Sequence, residues 1–514
     1  FSEEVRFKEY ADLTALAEQK LNSKVLTGAN YSPHPPPQYY GPIYQWIDIF
    51  KFRGMSAYWT EDYIFSVPEP PQMIGWMLAT ARSAVKYHNL PIHFYVMPHA
   101  PGQTAAYLRR GMVYAIGGGA TQIDNFWVAP AENFTENFVA WAYEDSFKAI
   151  AESIYDSGEV EHLAVGGTYR PARVAVVLSK ATDFNERNLK VNPQDDPFAS
   201  RAQMDHSLFQ QTLGRKDIQG VWMSLRNAQY GVELITEDDI NFGVNGKDIL
   251  SNYDVIYFAG EWVEDHAAAK LGEWVKAGGV LYACAGLGRL NQYNQPEQSL
   301  LDVLGLKSVT IEKNAYHIRP LLELPLLKPI DSITLGGSTI PAFAMKQVLT
   351  PGSAEVIGQW SDGSAAVTVN RIGDGVAYAV GTLPGHGYLH AAAAVSPWAR
   401  GGRHTSYSPM AHGEDGNKLI HLAMAEMSDF QRQIIASHTG VEGQIIDNKA
   451  GTLVTLINWN AEPVKDVTLQ VRVPFAPSSA RSVKGQQAVD VSYADGVATF
   501  TVDLDVADYV ILKK

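Results

Sequence analysis

Cys284 is the single cysteine in 514 residues. No disulfide can therefore form within the chain, and a cysteine-based metal site is not expected. Basic charge is also scarce. Lys and Arg number 41 against 55 Asp and Glu, a net charge of −14. Nothing basic and continuous is present to neutralise phosphates, which argues against a nucleic-acid partner. No apolar run reaches the ~20 residues of a membrane-spanning helix, and no signal-peptide pattern is visible. The glycines form no G-x-G-x-x-G phosphate loop, so nucleotide binding is unsupported. The compartment is left open. The first residue is Phe1 rather than Met, so an N-terminal portion is expected to precede it.

What remains is a globular composition, 46% hydrophobic and 19% charged. The length suits about two to four domains. The 25 Tyr and 11 Trp point mildly to carbohydrate, because aromatic rings stack on the apolar faces of sugars.

The stretch around which the first third is organised is GMSAYWTEDYIF, Gly54 to Phe65. Met55, Ala57 and Trp59 alternate with Ser56, Tyr58 and Thr60, the period of a strand. Glu61 and Asp62 follow at its C-terminal end, between Trp59 and Tyr63. Acids set among rings at a strand end suit glycoside hydrolysis. Glu61 is the candidate nucleophile or general base, with Asp62 binding sugar hydroxyls or acting in its place. Solvated acids at an ordinary strand end are the plain alternative.

Around this stretch, strands and helices alternate. An amphipathic helix is expected over Glu3–Lys24, with Leu13, Leu16, Ala17 and Leu21 on its apolar face. A strand begins at Val25 and ends near Asn30, Tyr31 and His34. The prolines of PHPPPQYYGP mark a loop, and a short helix follows over Ile43–Phe50. A helix over Pro71–His88 leads to a third strand, Ile92–Met97, ending at His99. A helix over Gln103–Ile116 leads to a fourth, Thr121–Val128, carrying Asp124 and Trp127. A helix over Ala140–Ser157 closes the section. Four such units describe half of a (β/α)8 barrel, whose full form needs roughly 250 residues. A second chain or a cleaved N-terminal segment is expected to supply the other half. A small self-contained sheet of four parallel strands is the alternative. Trp59 and Trp127 would be stacking platforms, and His34 and His99 hydroxyl donors at the rim. Asn30 and Tyr31 either bind substrate or shape the turn.

From Arg170 the pattern changes. ARVAVVLS and YDVIYFAG are the continuous apolar runs of strands buried on both faces. GVLYACAG follows a helix that stops at Gly278 and Gly279. These describe a flavodoxin-like, doubly wound sheet. YACAG resembles the G-x-C-x-G nucleophile turn of class I glutamine amidotransferases only in part, since Tyr282 replaces the first glycine. A buried, inert thiol is the expectation for Cys284. Gly385–Gly416 is expected as a long loop with scattered histidines, followed by a helix over Leu419–Ser437. After Val441, short alternating strands separated by turns indicate a small antiparallel β-sandwich. The expected domains are thus 1–169, 170–440 and 441–514.

This order resembles the C-terminal part of glycoside hydrolase family 42 and its relatives, beta-galactosidases whose middle domain builds a trimer. RPARVAVVLS, LSNYDVIYFAG, LGEWVKAGGVLYA and LLDVLGL are similar to that middle domain. SAYWTEDY, VMPHAPGQ and GGGATQIDNFWV are similar to barrel strands six, seven and eight. The resemblance implies a β-glycosidase acting on carbohydrate, without cofactor or metal, in a homo-oligomer, with a trimer suspected. One departure matters. The family carries its nucleophile in a Met-Glu pair on strand seven, where this chain has Met97, Pro98 and His99. The family's acid/base glutamate lies on strand four, outside the resemblance. Either Glu61 has taken over, with a partner carboxylate on the other half-barrel, or the chain is a carbohydrate-binding or assembly relative.

Overall fold

The computed structural model describes residues 2–29, 44–61, 71–98, 104–125, 143–187, 213–314, 329–390, 412–427 and 430–514. Six expected site residues, Asn30, Tyr31, His34, Asp62, His99 and Trp127, lie outside them. The chain forms an α/β unit, a mixed α/β sheet and a pair of antiparallel sheets.

The first unit holds helix α1 (Ser2–Lys20), strand β1 (Tyr58–Glu61), helix α2 (Met73–Val85), strand β2 (Ile92–Val96), helix α3 (Ala105–Gly117), strand β3 (Gln122–Asn125) and helix α4 (Glu144–Ala164). The strands are parallel, in the order β1-β2-β3. Thr104 starts α3 by accepting the Tyr107 amide on its hydroxyl at 3.1 Å, satisfying one orphan donor of the first turn. The Val25–Ala29 segment is no strand in the structure. It is tied in by Thr27, whose carbonyl accepts the amides of Ser56 and Ala57, both at 3.0 Å.

The expected apolar face of α1 is not its buried face. Phe7 and Thr14, two turns apart, point inward, while Leu13, Leu16 and Leu21 are 61%, 48% and 72% exposed. The Thr14 hydroxyl donates to the Gly54 carbonyl at 2.8 Å. A polar residue that finds a backbone partner has displaced the leucines from the interface.

The second region begins after a two-residue strand, β4 (Thr168–Tyr169). Strands β5 (Val174–Leu178), β6 (Glu233–Thr236), β7 (Val255–Ala259), β8 (Val280–Cys284) and β9 (Gly375–Val380) are parallel, in the spatial order β6-β5-β7-β8-β9. Antiparallel strands Ala365–Ile372, Glu355–Trp360, Asp331–Leu335 and Ser338–Ala342 extend the same sheet beyond β9. Every residue of β5, β7, β8 and β9 is buried, as expected of apolar runs with helices on both faces. Helices α5 (Lys180–Arg187), α6 (Leu213–Asn227), α7 (Glu237–Phe242) and α8 (Asp265–Lys276) belong to this region. Cys284 is fully buried, and burial pushes its thiol up. Two expectations change. Part of the long loop is the helix Pro384–His390, and the expected Leu419–Ser437 helix breaks into Glu414–Ile420, Leu422–Glu426 and a strand, Ile434–Ala436.

The C-terminal region comprises a four-stranded and a six-stranded sheet around one apolar core. The strands Ile434–Ala436 and β4 both join these sheets, at Val471 and Ile446 respectively.

Two clamps, one buried and one half-buried, hold the regions together. Glu442 accepts from Tyr114 at 2.5 Å, Arg226 at 2.6 Å and Trp459 at 2.9 Å, joining α3, α6 and the C-terminal sheets. Lys180 sits 2.7 Å from Asp48 and 2.9 Å from Asp238. Burial alone would lower the Lys180 pKa, but these carboxylates raise it.

Candidate active site on the open face of the first sheet

The register of β1–β3 places side chains in rows. Trp59 pairs with His93 and His93 with Gln122; Glu61 pairs with Tyr95 and Tyr95 with Asp124. Partners in a parallel ladder share a face, as do residues two apart on one strand. One face therefore carries Trp59, Glu61, His93, Tyr95, Gln122 and Asp124. The opposite face carries Tyr58, Thr60, Ile92, Phe94 and Val96, all buried, with α2 and α3 packed on it.

The first of these faces is polar and partly open. Glu61 is 5% exposed, whereas the Asp124 side chain is 58% exposed. His93 Nε2 lies 2.8 Å from Asp124 Oδ2. The Trp59 ring stacks on the His93 ring at 5.7 Å and 7°, and Tyr95 meets both edge-on, at 5.2 and 4.9 Å. The Tyr95 phenol is pushed above its ordinary pKa, first by burial and then by the negative charges of Asp124 and Glu61. It stays a hydroxyl donor at neutral pH, between two carboxylates. Met97, just past the end of β2, is fully buried.

Such a face suits a sugar: rings to stack on, a phenol and an imidazole to hydrogen-bond, and carboxylates to move protons. The described residues hold no group of three or more His, Cys, Asp or Glu placed to bind a metal. None of their helices is long and apolar enough to cross a membrane.

Of the residues singled out from sequence, Glu61 and Trp59 are brought onto this face together. His93 and Tyr95 join them, as does Asp124, which the sequence places only within the last strand. Their signal was in the alternation of Ile92-His93-Phe94-Tyr95-Val96, where every second residue is a polar aromatic.

No family profile and no curated protein matches the chain by sequence. Solved structures do match by shape. A catalytic mutant of Gan42B, a GH42 beta-galactosidase from G. stearothermophilus, superimposes with a TM-score of 0.67 at 14% identity, over 98% of this chain and 66% of that one. The fold is that of family 42 beta-galactosidases. The beta-galactosidase from Bacillus circulans sp. alkalophilus gives 0.66 at 14% identity, over 99% of this chain and 66% of the other. That from the haloarchaeon Halorubrum lacusprofundi gives 0.61 at 14%, over 100% and 67%. An alpha-L-fucosidase from Paenibacillus thiaminolyticus also matches, at 0.55 and 12%, over 91% and 66%. The chain spans 61% of another Gan42B structure, at a TM-score of 0.64 and 14% identity over 90% of this chain. The resemblance to family 42 thus holds at the level of fold, and the chain covers about two thirds of the length of these enzymes.

Proposed function

We propose that the protein is a glycoside hydrolase acting on a β-linked glycoside or oligosaccharide by paired-carboxylate catalysis. The observation that carries this reading is the row Glu61-Tyr95-Asp124 on one face of the sheet, backed by Trp59 and His93, in a fold shared with family 42. On this reading β1–β3 belong to the C-terminal half of a (β/α)8 barrel. Further strand–helix units, in a second chain or an N-terminal segment, would supply the opposite wall. The β6-β5-β7-β8-β9 order is the 2-1-3-4-5 order of flavodoxin-like sheets. This supports a trimerisation-type middle domain over 170–440, with a β-sandwich over 441–514. Trp127 would add a stacking platform, and Asn30, Tyr31, His34 and His99 would contact hydroxyls. Glu61 is the acid committed to chemistry, with Asp62 beside it. Two carboxylates carry out this reaction without metal or cofactor.

Glu61→Gln tests the reading. Removing a group that moves a proton in the transition state costs about 10²–10⁴-fold in turnover. The variant should lose that much activity on 4-nitrophenyl β-glycosides while melting as the parent does.

A second reading is favoured by Met97-Pro98-His99, which puts no carboxylate where the resemblance sets the nucleophile. A non-catalytic carbohydrate-binding relative would show altered sugar affinity in Glu61→Gln and no turnover in either form. A pure assembly subunit would show neither effect.

A further inference from the structure

We propose that the cavity where the three regions meet is a second ligand site. It takes a monosaccharide-sized polyhydroxylated anion, a sugar acid or a sugar phosphate, whose charged group is received by Arg82. The proposal goes beyond the glycosidase reading and does not depend on it.

The cavity has a volume of about 650 Å³, within the ~300–1,000 Å³ of small-molecule sites, which favour domain interfaces. Its walls come from all three regions: the end of α2 and the start of β2, the first residues of β6 and the turn before β7, and Ile446 of the C-terminal sheets. It lies at the N-terminal ends of the strands, since Ile92 opens β2, Glu233 opens β6 and Tyr253 precedes β7. Glu61 closes β1, which runs parallel to β2, and so stands at the other end of the first sheet. The two sites are therefore separate.

Part of the wall is apolar, formed by the buried Ile92, Ile116, Leu234 and Ile446. Three bases and one acid also line it: Arg82, Lys86, Arg173 and Glu233. Two of the bases are already neutralised. Lys86 pairs with Asp239 at 2.5 Å, and Arg173 pairs with Asp254. Arg82 has no carboxylate partner among the described residues. Its Nη1 donates to the Gly118 carbonyl at 2.8 Å, its guanidinium lies 3.9 Å from the centre of the Tyr169 ring, and its Nε meets no acceptor. The carbonyl and the ring fix the guanidinium, and the carbonyl takes only one of the five N–H donors that such a group carries. A planar fork with spare donors and no counter-charge matches a carboxylate or a phosphate.

The rest of the lining selects among anions. Burial, and then the charge of Glu233, pushes the Tyr253 phenol up, so it is a hydroxyl donor at neutral pH. Asn89, Asn252 and Thr121 add neutral hydrogen-bonding groups, matched to hydroxyls rather than to a second charge. Glu233 repels a bare anion but accepts from a hydroxyl. A neutral sugar would desolvate Arg82 without matching its charge, which is costly. A bare phosphate would fill little of the volume. A sugar ring carrying a carboxylate or phosphate brings charge for Arg82, hydroxyls for Glu233 and Tyr253, and a ring face for the isoleucines. Because the walls belong to three regions, a ligand seated there ties them together and raises the stability of the chain.

Calorimetric titration of this chain tests the proposal, with glucuronate and galacturonate as carboxylate probes and glucose 6-phosphate as the phosphate probe. At least one class should bind with a Kd of about 1 mM or tighter and raise the melting temperature at saturation. The class that binds identifies the source of the charge. Galactose and inorganic phosphate should each bind at least about tenfold more weakly. Arg82→Gln should weaken the sugar anion by about 10–100-fold, the loss of a hydrogen-bonded charge contact. Tyr253→Phe removes one hydroxyl and should weaken it by about 3–10-fold, and it stands as the test should Arg82→Gln fail to fold. The proposal is overturned if neither class binds that tightly, if either folded variant binds as the parent does, or if galactose or inorganic phosphate matches the sugar anions.

Discussion

The molecule contains two parallel sheets that treat acids at their strand ends in opposite ways. In the second region, β5, β7, β8 and β9 are buried throughout, and the acids near their C-terminal ends are sealed. Asp217 on α6 is fully buried beside the Cys284 thiol at 3.4 Å. Glu237, the residue after β6, accepts from the amides of Ala181 and Glu264, both at 2.9 Å. Burial pushes Asp217 up to about 7 and Glu237 up to about 8. In the first sheet, helices cover one face, and the other is partly open among the described residues, with Asp124 reaching solvent and Glu61 buried. Parallel sheets are ordinarily covered on both faces, and among the described residues the second sheet keeps that rule more fully than the first. An acid at a strand end is therefore not by itself a site. What separates Asp124 from Asp217 and Glu237 is a partly open face with aromatic walls, onto which the buried Glu61 also projects.

The largest expected effect tests whether the covered faces of the two sheets are equivalent. Phe94 in β2 and Phe258 in β7 are both fully buried. Truncating either to Ala should cost about 3–5 kcal/mol, the sum of lost transfer and cavity terms. Urea unfolding checks this. A loss under about 1 kcal/mol for Phe94→Ala would mean that the first sheet is held loosely on its helix side too, and the contrast would disappear.

These contrasts were unequally legible in the sequence. Continuous apolar runs rich in β-branched residues, such as VAVVL and VIYFA, favour strands buried on both faces, and they are. The short alternating strands after Val441 were as plain. The first unit was harder. Register is not written in any one strand, so the row Glu61-Tyr95-Asp124 became visible only once three strands were paired. The sequence signal is strongest just past the strand ends, where Asp62, His99 and Trp127 lie outside the described residues. Helix α1 misled for a different reason. Its leucines make an apolar stripe, but the face that packs is chosen by what lies opposite, and Thr14 meets a free carbonyl at Gly54. Near Ile434 the helical pattern gave way because Val471 offers the segment a ladder partner.

A smaller effect is expected from pH. An acid whose folded-state pKa lies above its unfolded value stabilises the fold at low pH, and that stability is lost as pH rises towards the folded value. For Asp217 the window runs from about 4, its unfolded value, to about 7. His421, pushed down to about 4 by burial, works the other way between about 4 and 6.5. The parent's net slope should therefore steepen above about 6.5, where His421 no longer offsets the acids. Asp217→Asn should flatten the fall by about 1.4 kcal/mol per pH unit across its window. Urea midpoints of parent and variant between pH 5 and 8 read this directly. An unchanged slope would mean that water reaches Asp217, and the sealed-versus-open distinction would then rest on Glu237 alone.

The smallest effect is expected on the flank of the open sheet. Leu13 and Leu16 on α1 are exposed while Phe7 on the same helix is buried. In this chain alone Leu13→Lys removes no buried contact, so stability should change by no more than about 0.5 kcal/mol. Phe7→Ala, in contrast, should cost about 3–5 kcal/mol. Comparing the two by thermal melting, with this chain alone and with any co-purifying chain present, asks what covers the flank. If further strand–helix units pack against α1, Leu13→Lys becomes costly only in their presence, because the leucine then loses a buried neighbourhood and the lysine must desolvate. If Leu13→Lys is equally harmless in both, the flank faces solvent, and the open face of β1–β3 would have to be completed from the other side of the sheet.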